Sequence, residues 1–194
     1  MTILRDPAFL RVSAASAFSF GALFLWISST PILLPRLGLG EQDFGLLFVP
    51  MVAAMATGSF LANRLAMSTT IARRVGIGQA VALAALVVGL ALVLVPATSG
   101  ELPWFVIAPV GLGFGTGLYF PLYQLAMIDL FPGSRGAAAS GGTFLTLLAN
   151  SAVAGGLASL VGESLITISV TTLVMLVLGI ACWRWHVHTD GSPG

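Results

Sequence analysis

Charged residues divide the chain into long uncharged stretches. Within these stretches, apolar residues run on without the regular alternation that the strands of a membrane β-barrel would show. A transmembrane helix needs about 20 consecutive, mostly apolar residues. Six stretches reach that length: 12–35, 44–63, 75–100, 102–128, 136–162 and 164–183. They predict six membrane-spanning helices, at about 12–34, 44–65, 75–97, 103–128, 137–161 and 164–184.

The composition agrees with this prediction. Of the 194 residues, 57% are hydrophobic and 8% are charged, whereas soluble globular proteins carry about 25% charged residues. The sequence therefore predicts an all-α integral membrane protein, with 1–194 as one six-helix domain in contact with the lipid bilayer. Nucleic acid is not an expected partner.

The arginines indicate how the helices are oriented. Seven of the eight fall on one side of the predicted bundle: Arg5, Arg11, Arg64, Arg73, Arg74, Arg135 and Arg184. Arg36 lies on the other side, among acidic residues. Because cytoplasmic loops carry the excess of Lys and Arg, both termini are expected in the cytoplasm.

The spans offer little for catalysis. They contain no histidine or lysine, and Asp129 lies only at the edge of helix 4, so a serine nucleophile would lack its base. The chain is therefore not expected to be an enzyme.

Cys182 is expected to be a small apolar filler. His186 and His188 lack a third metal ligand, and a frayed, solvated tail is expected there, with no metal and no cofactor.

Helix 4 carries four glycines at alternate positions, Gly111, Gly113, Gly115 and Gly117. They do not match the G-x-G-x-x-G nucleotide-binding fingerprint, because the third glycine is missing. Their small-x-x-x-small spacing instead predicts a close helix–helix contact. Helix 5, which is also rich in Gly and Ala, is the expected partner of helix 4 in this contact.

Helices 1 and 4 also share a pattern of glycine and proline, which includes Gly21, Pro31 and Pro121. Interrupted helices at corresponding positions of two repeats indicate a transporter binding site. The sequence therefore predicts two inverted three-helix repeats, at about 1–99 and 100–194.

Three segments resemble the major facilitator superfamily, and more narrowly the C-terminal half of Bcr/CflA-type drug:proton antiporters. "SFLANRLAMSTTIARRVG" resembles the cytoplasmic G-x-L-a-D-R-x-G loop, although Ser59, Asn63 and Ala66 replace its Gly, Asp and Gly. "DLFPGSRGAAASGG" resembles the F-P-x-x-R-G-x-A-x-G link between the fourth and fifth helices of a half. "DPAFLRVSAASAFSFGALFLWISSTPILL" is similar to the first helix of the second half in Bcr/CflA proteins.

The resemblance implies half of a twelve-helix major facilitator fold in the bacterial inner membrane. Its implied function is multidrug efflux by drug:proton antiport, in which this half supplies part of the substrate cavity and is inactive alone. In the family, the carboxylate that couples transport to protons generally resides in the N-terminal half. The implied partners are that half, or a second copy of this chain, and a hydrophobic small-molecule substrate, with the proton as coupling ion.

The resemblance also implies roles for individual residues. The substrate would contact polar and aromatic side chains of helices 1, 4 and 5: Phe20, Phe24, Ser28, Tyr119, Tyr123, Gln124 and Asn150. The cytoplasmic-loop motifs would comprise Asn63, Arg64, Arg73, Arg74, Asp129 and Arg135. Ordinary helix packing for the Phe residues, an interfacial belt for the Tyr residues and simple membrane anchoring for Arg135 remain alternatives.

A different class of function also fits the pattern. A non-transporting membrane scaffold or regulatory subunit could dock through helix faces rich in Gly and Ala. Water access to helices 1 and 4 distinguishes this alternative from a transporter, because only a transporter needs a wetted cavity there.

Overall fold

The structure is a computed structural model that describes residues 3–65, 69–99, 101 and 104–191, without the side chains of Arg36 and Glu41. Its regular elements are helices: α1 (Pro7–Arg36), α2 (Phe44–Arg64), α3 (Ile71–Leu94), α4 (Ile107–Asp129), α5 (Arg135–Ala152), α6 (Ala158–Val161) and α7 (Leu165–Asp190). A π-helical turn, Val153–Leu157, joins α5 to α6 into one span. The prediction of six helices long and apolar enough to cross a membrane is confirmed.

Helices α1 and α3 begin four or five residues earlier than the charge pattern predicts, because polar side chains outside the apolar stretch cap them. The Asp6 carboxylate accepts a hydrogen bond from the Phe9 N–H at 2.9 Å, so α1 begins at Pro7. The Thr70 hydroxyl accepts from the Arg73 N–H at 3.4 Å and caps α3. Such caps satisfy N–H groups that have no partner within the helix. The charges therefore mark the edge of the apolar stretch, and the caps mark the start of the helix.

The expected frayed tail is wrong as far as Asp190, because α7 remains helical up to that residue. One Asp190 carboxylate oxygen lies 2.8 Å from Arg11 Nη1 and 3.0 Å from His186 Nδ1. His186 is 3% exposed and packs on Trp183. An ion pair between the first and last helices thus holds this end in place, while residues 192–194 of the predicted tail lie outside the described part.

Helices α1 and α4 form the centre of the bundle. In their most apolar stretches 56% and 61% of the residues are buried, against 17% for α2 and 22% for the span that contains α5. α4 packs between α2 and α3, whereas α1 packs between α7 and α5. The two central helices also contact each other, and α3 contacts α7.

The glycines of α4 face two different neighbours. Gly113 and Gly117 face α2, where a Cβ on Gly117 would overlap the Met55 carbonyl oxygen and one on Gly113 would lie 2.7 Å from the Met51 carbonyl oxygen. Gly58 on α2 contributes to the same contact, since a Cβ there would overlap the backbone of α4. Helix backbones that approach so closely leave no room for a side chain.

The other two glycines face α3. A Cβ on Gly115 would lie 2.6 Å from the Gly78 carbonyl oxygen, and one on Gly111 would overlap the side chain of Ala85. The predicted close packing is therefore present, but the prediction of helix 5 as its partner is wrong. The small residues that oppose the glycines of α4 lie on α2 and α3, whereas on α5 a Cβ at Gly142 would lie 2.7 Å from Met127 Sδ of α4.

Replacing Gly117 with alanine is expected to destabilise the bundle by about 1–3 kcal/mol, because the added Cβ forces α2 away from α4. Thermal unfolding of the detergent-purified chain measures this. Gly76→Ala is the matched control, since a Cβ at this position of α3 meets no atom within 4 Å. The control should be neutral or gain up to about 1 kcal/mol from helix propensity. Equal stability of the two variants would contradict the close contact.

Candidate functional site

The seven predicted substrate residues do not form one site; they separate into two groups along α1, α4 and α5. Four of them are partly exposed: Phe20, Phe24, Ser28 and Gln124. Three are buried: Tyr119, Tyr123 and Asn150.

The exposed group is an aromatic surface on α1 and α4. The rings of Phe20 and Phe120 lie 4.5 Å apart between centroids. Because α1 and α4 are antiparallel, Phe24 lies one helical turn from this ring pair towards one end of the bundle and Gln124 one turn towards the other. We call Phe20, Phe24, Phe120 and Gln124 the open patch. Phe120 is not among the predicted substrate residues, although its i, i+4 relation to Gln124 places both on one face. The open patch offers flat apolar rings next to one amide.

Ser28 contributes little to this surface. Its hydroxyl donates to the Phe24 carbonyl oxygen at 2.8 Å, within its own helix. Such back-bonding to the preceding turn uses the hydroxyl as a donor.

The two buried tyrosines lie in a hydrogen-bonded cluster between α1, α3, α4 and α7. The Gln79 amide donates to the Tyr123 hydroxyl at 2.7 Å, and the hydroxyls of Thr116 and Tyr119 lie 2.9 Å apart. The ring of Trp183 packs on Tyr123 at 5.2 Å between centroids. We call Gln79, Thr116, Tyr119 and Tyr123 the buried cluster. Both tyrosines are 0% exposed, so they do not form an interfacial belt.

Asn150 lies apart from both groups, on α5 where this helix faces α1. The side chain is 3% exposed, and its Oδ1 atom has no hydrogen-bond partner within the described part of the chain. A Cβ on Gly21 would lie 3.8 Å from that oxygen. Because an unpaired polar atom is costly inside an apolar bundle, this oxygen is a strong acceptor for any donor that reaches it.

The predicted loop-motif residues lie at one end of the bundle. Arg74 is 8% exposed, and its Nη1 donates to the Ala62 carbonyl oxygen at 3.4 Å, which links α3 to the end of α2. Arg64 is exposed and lies over the Phe60 ring at 5.0 Å. Asn63 is also exposed, and Ala66 of the same motif lies outside the described residues.

The second motif forms a weak ion pair. Arg135 Nη2 lies 3.9 Å from Asp129 Oδ1, with both side chains largely exposed. Exposed pairs at this distance contribute little to stability. Arg73 is exposed and makes no ion pair within the described part of the chain. The motif residues therefore share an end of the bundle but do not converge on one site.

Neither the open patch nor the buried cluster contains a carboxylate, an imidazole or a basic group. No set of three metal-ligating side chains occurs among the described residues. The site can therefore offer apolar and aromatic contact and neutral hydrogen bonds. Proton coupling within the apolar interior would need a titratable group from elsewhere.

No protein-family model matches the sequence, and no curated protein matches it.

The hydrogen bond between Gln79 and Tyr123 can be measured with a double-mutant cycle. Gln79→Leu and Tyr123→Phe are expected to show a coupling energy of about 0.6 kcal/mol, the average for hydrogen bonds between membrane helices, and at most about 1.7 kcal/mol. Reversible unfolding in mixed detergent micelles provides the four free energies. Gln79→Leu combined with Tyr119→Phe is the matched control, since the Tyr119 hydroxyl lies beside Thr116 instead. Equal coupling energies in the two cycles would show that Gln79 makes no specific hydrogen bond to Tyr123.

Proposed function

We propose that the chain crosses the bacterial inner membrane six times, with both termini in the cytoplasm, and forms half of a secondary multidrug transporter of the major facilitator type. The observation that carries this proposal is the packing of the central helices. α4 packs against α2 and α3, and α1 packs against α5 and α7. Each central helix therefore packs on the two later helices of the other three-helix block.

This reciprocal packing of the two three-helix blocks supports the two inverted repeats at about 1–99 and 100–194. If the first, second and third spans are superposed on the fourth, fifth and sixth, the contacts of α4 with α2 and α3 coincide with the contacts of α1 with α5 and α7. An inverted repeat with a two-fold axis in the membrane plane would produce that correspondence. Transporters of this design bind substrate near the bilayer midplane, between the repeats or halves.

The open patch is the best candidate for substrate contact. Its rings would bind hydrophobic drugs through apolar contact and cationic drugs through cation–π attraction. The Gln124 amide adds a hydrogen-bonding group at the same surface, and Asn150 provides an unpaired acceptor deeper in the bundle. The buried tyrosines Tyr119 and Tyr123 hold α4 in place beside this surface.

The least buried helices, α2 and α5, offer the surface on which a second half would pack. Large apolar side chains project from both, including Val49 and Phe60 on α2 and Phe144 and Leu147 on α5, each more than half exposed. A complementary six-helix half, or a second copy of the chain, would cover these side chains. The same partner would supply the carboxylate that proton antiport requires, so the chain alone is expected to be inactive.

The scaffold alternative is supported by one specific observation. Gly155 and Gly156, in the π-helical turn, have open space where a Cβ would lie. A small-residue surface of this kind can receive a helix of another protein. A scaffold needs no water at the open patch, whereas a transporter does.

Water access is tested by cysteine labelling in native membranes, after Cys182→Ala removes the only cysteine. Phe24→Cys is expected to react with a membrane-impermeant thiol reagent, because its side chain lies on the open patch. Tyr123→Cys is the matched control, since Tyr123 is fully buried beside Gln79 and this position is expected to stay unlabelled. Inertness at both positions would favour the scaffold.

Transport is tested by drug accumulation in cells that lack other exporters. Cells that produce this chain alone are expected to accumulate cationic dyes like cells with an empty vector. Production together with a complementary six-helix half that carries an intramembrane carboxylate is expected to give export that stops when the proton gradient is collapsed. Proton-dependent export by the monomeric chain would contradict the proposal.

A further inference from the structure

A groove runs between α3 and α7 at the arginine-rich end of the bundle, with a volume of about 420 Å³. Its lining includes Arg73, Gly76, Ile77 and Ala80 from α3 and Trp183 and Arg184 from α7. We call it the arginine groove. It is separate from the open patch, which lies on α1 and α4.

Two positive charges in this groove have no acidic partner among the described residues. Within the described part of the chain, the ion pairs involve Arg11, Arg135 and His186, and neither Arg73 nor Arg184 takes part. Both arginines are exposed, on adjacent helices, and line the same groove. Like charges that share a groove repel each other, so an anion bound between them would be stabilised by both.

The groove also has an apolar continuation along the bundle. Ile77 and Ala80 line it on α3, and Val87, about two turns beyond Ala80 on the same face, is 52% exposed. Val177 on α7, two turns before Arg184, is 48% exposed. A ligand that is anionic at one end and has a long apolar chain would match both parts.

We propose that the arginine groove binds the phosphodiester headgroup of an anionic phospholipid, with an acyl chain along the exposed side chains of α3 and α7. Basic pockets between helices on the cytoplasmic side recognise such headgroups. Arg73 and Arg184 hold the phosphate from two helices, and the lipid thereby links α3 to α7. The inference requires the membrane insertion that is part of the proposed function, and it is independent of transport.

Gly76 gives the groove its depth. A Cβ on this residue would meet no atom within 4 Å, so the space in front of it is open. A leucine at this position would fill the groove and leave both arginines in place. This substitution therefore separates the shape of the site from its charge.

The test is native mass spectrometry of the purified full-length chain titrated with phosphatidylglycerol or with phosphatidylcholine of the same acyl chains. The chain is expected to retain phosphatidylglycerol preferentially. Arg73→Gln with Arg184→Gln should weaken this binding about 30-fold, at roughly fivefold for each charge. Gly76→Leu should also lose the lipid, although its charge is unchanged.

Arg64→Gln with Arg135→Gln is the matched control, because it removes two charges from the same end of the bundle but outside the groove. It should retain the lipid, and all variants should keep the helical circular dichroism of the parent. Equal loss in the control would show a general charge effect and overturn the site. Displacement of the lipid by inorganic phosphate would overturn it in favour of a simple anion site.

Carbonate extraction of cell membranes separates failure of this inference from failure of the proposed function. A chain released by carbonate is not a transmembrane protein, and both proposals fall. A chain that resists extraction but binds the two lipids equally leaves the transporter proposal intact and overturns the lipid site alone.

Discussion

The close approach of α4 to α2 and α3 is the contact on which the rest of the bundle depends. In a bilayer the lipid tails are as apolar as the helix surfaces, so helices associate mainly through van der Waals packing and hydrogen bonds. Gly113 and Gly117 bring the backbone of α2 against α4, and Gly115 does the same for α3. Each glycine weakens a helix by about 1 kcal/mol in water, and these contacts offset that cost.

This packing also decides what the side chains of α4 can reach. With its glycines turned towards α2 and α3, consecutive residues of α4 face different environments: Tyr119 enters the buried cluster, whereas Phe120 lies against Phe20 in the open patch. One helix thus carries a polar, hydrogen-bonded interior and an apolar aromatic surface. The hydrogen bond from Gln79 to Tyr123 ties this helix to α3 at the same level of the bundle. The open patch therefore has a fixed support behind it, as a binding surface requires.

The sequence predicts the number and position of the helices because charge is excluded from an apolar span whatever the tertiary structure. It also predicts that α4 packs closely, since only contact explains alternate glycines. The partner of α4 could not be predicted, because Gly-rich helices are chemically alike and the choice of α2 and α3 depends on Gly58 and Gly78 meeting α4 in register. The helical end of α7 up to Asp190 could not be predicted, because the ion pair that holds it involves Arg11, which is 179 residues away in sequence. The two tyrosines were placed with the exposed phenylalanines because the spacing of residues defines a helix face but not the neighbour that covers it.

The arginines at one end of the bundle show how residues of one type acquire different roles from their surroundings. All of them are suited to the cytoplasmic side of a membrane, and a sequence alone assigns them that single role. In the structure, Arg11 closes the bundle through Asp190, and Arg74 is buried against the end of α2. Arg73 and Arg184 remain without an acidic partner in the described part of the chain and face one groove. A membrane protein with so few charges has few means of holding α3 to α7 at the water boundary, and an anionic lipid between two arginines would provide one from the bilayer itself.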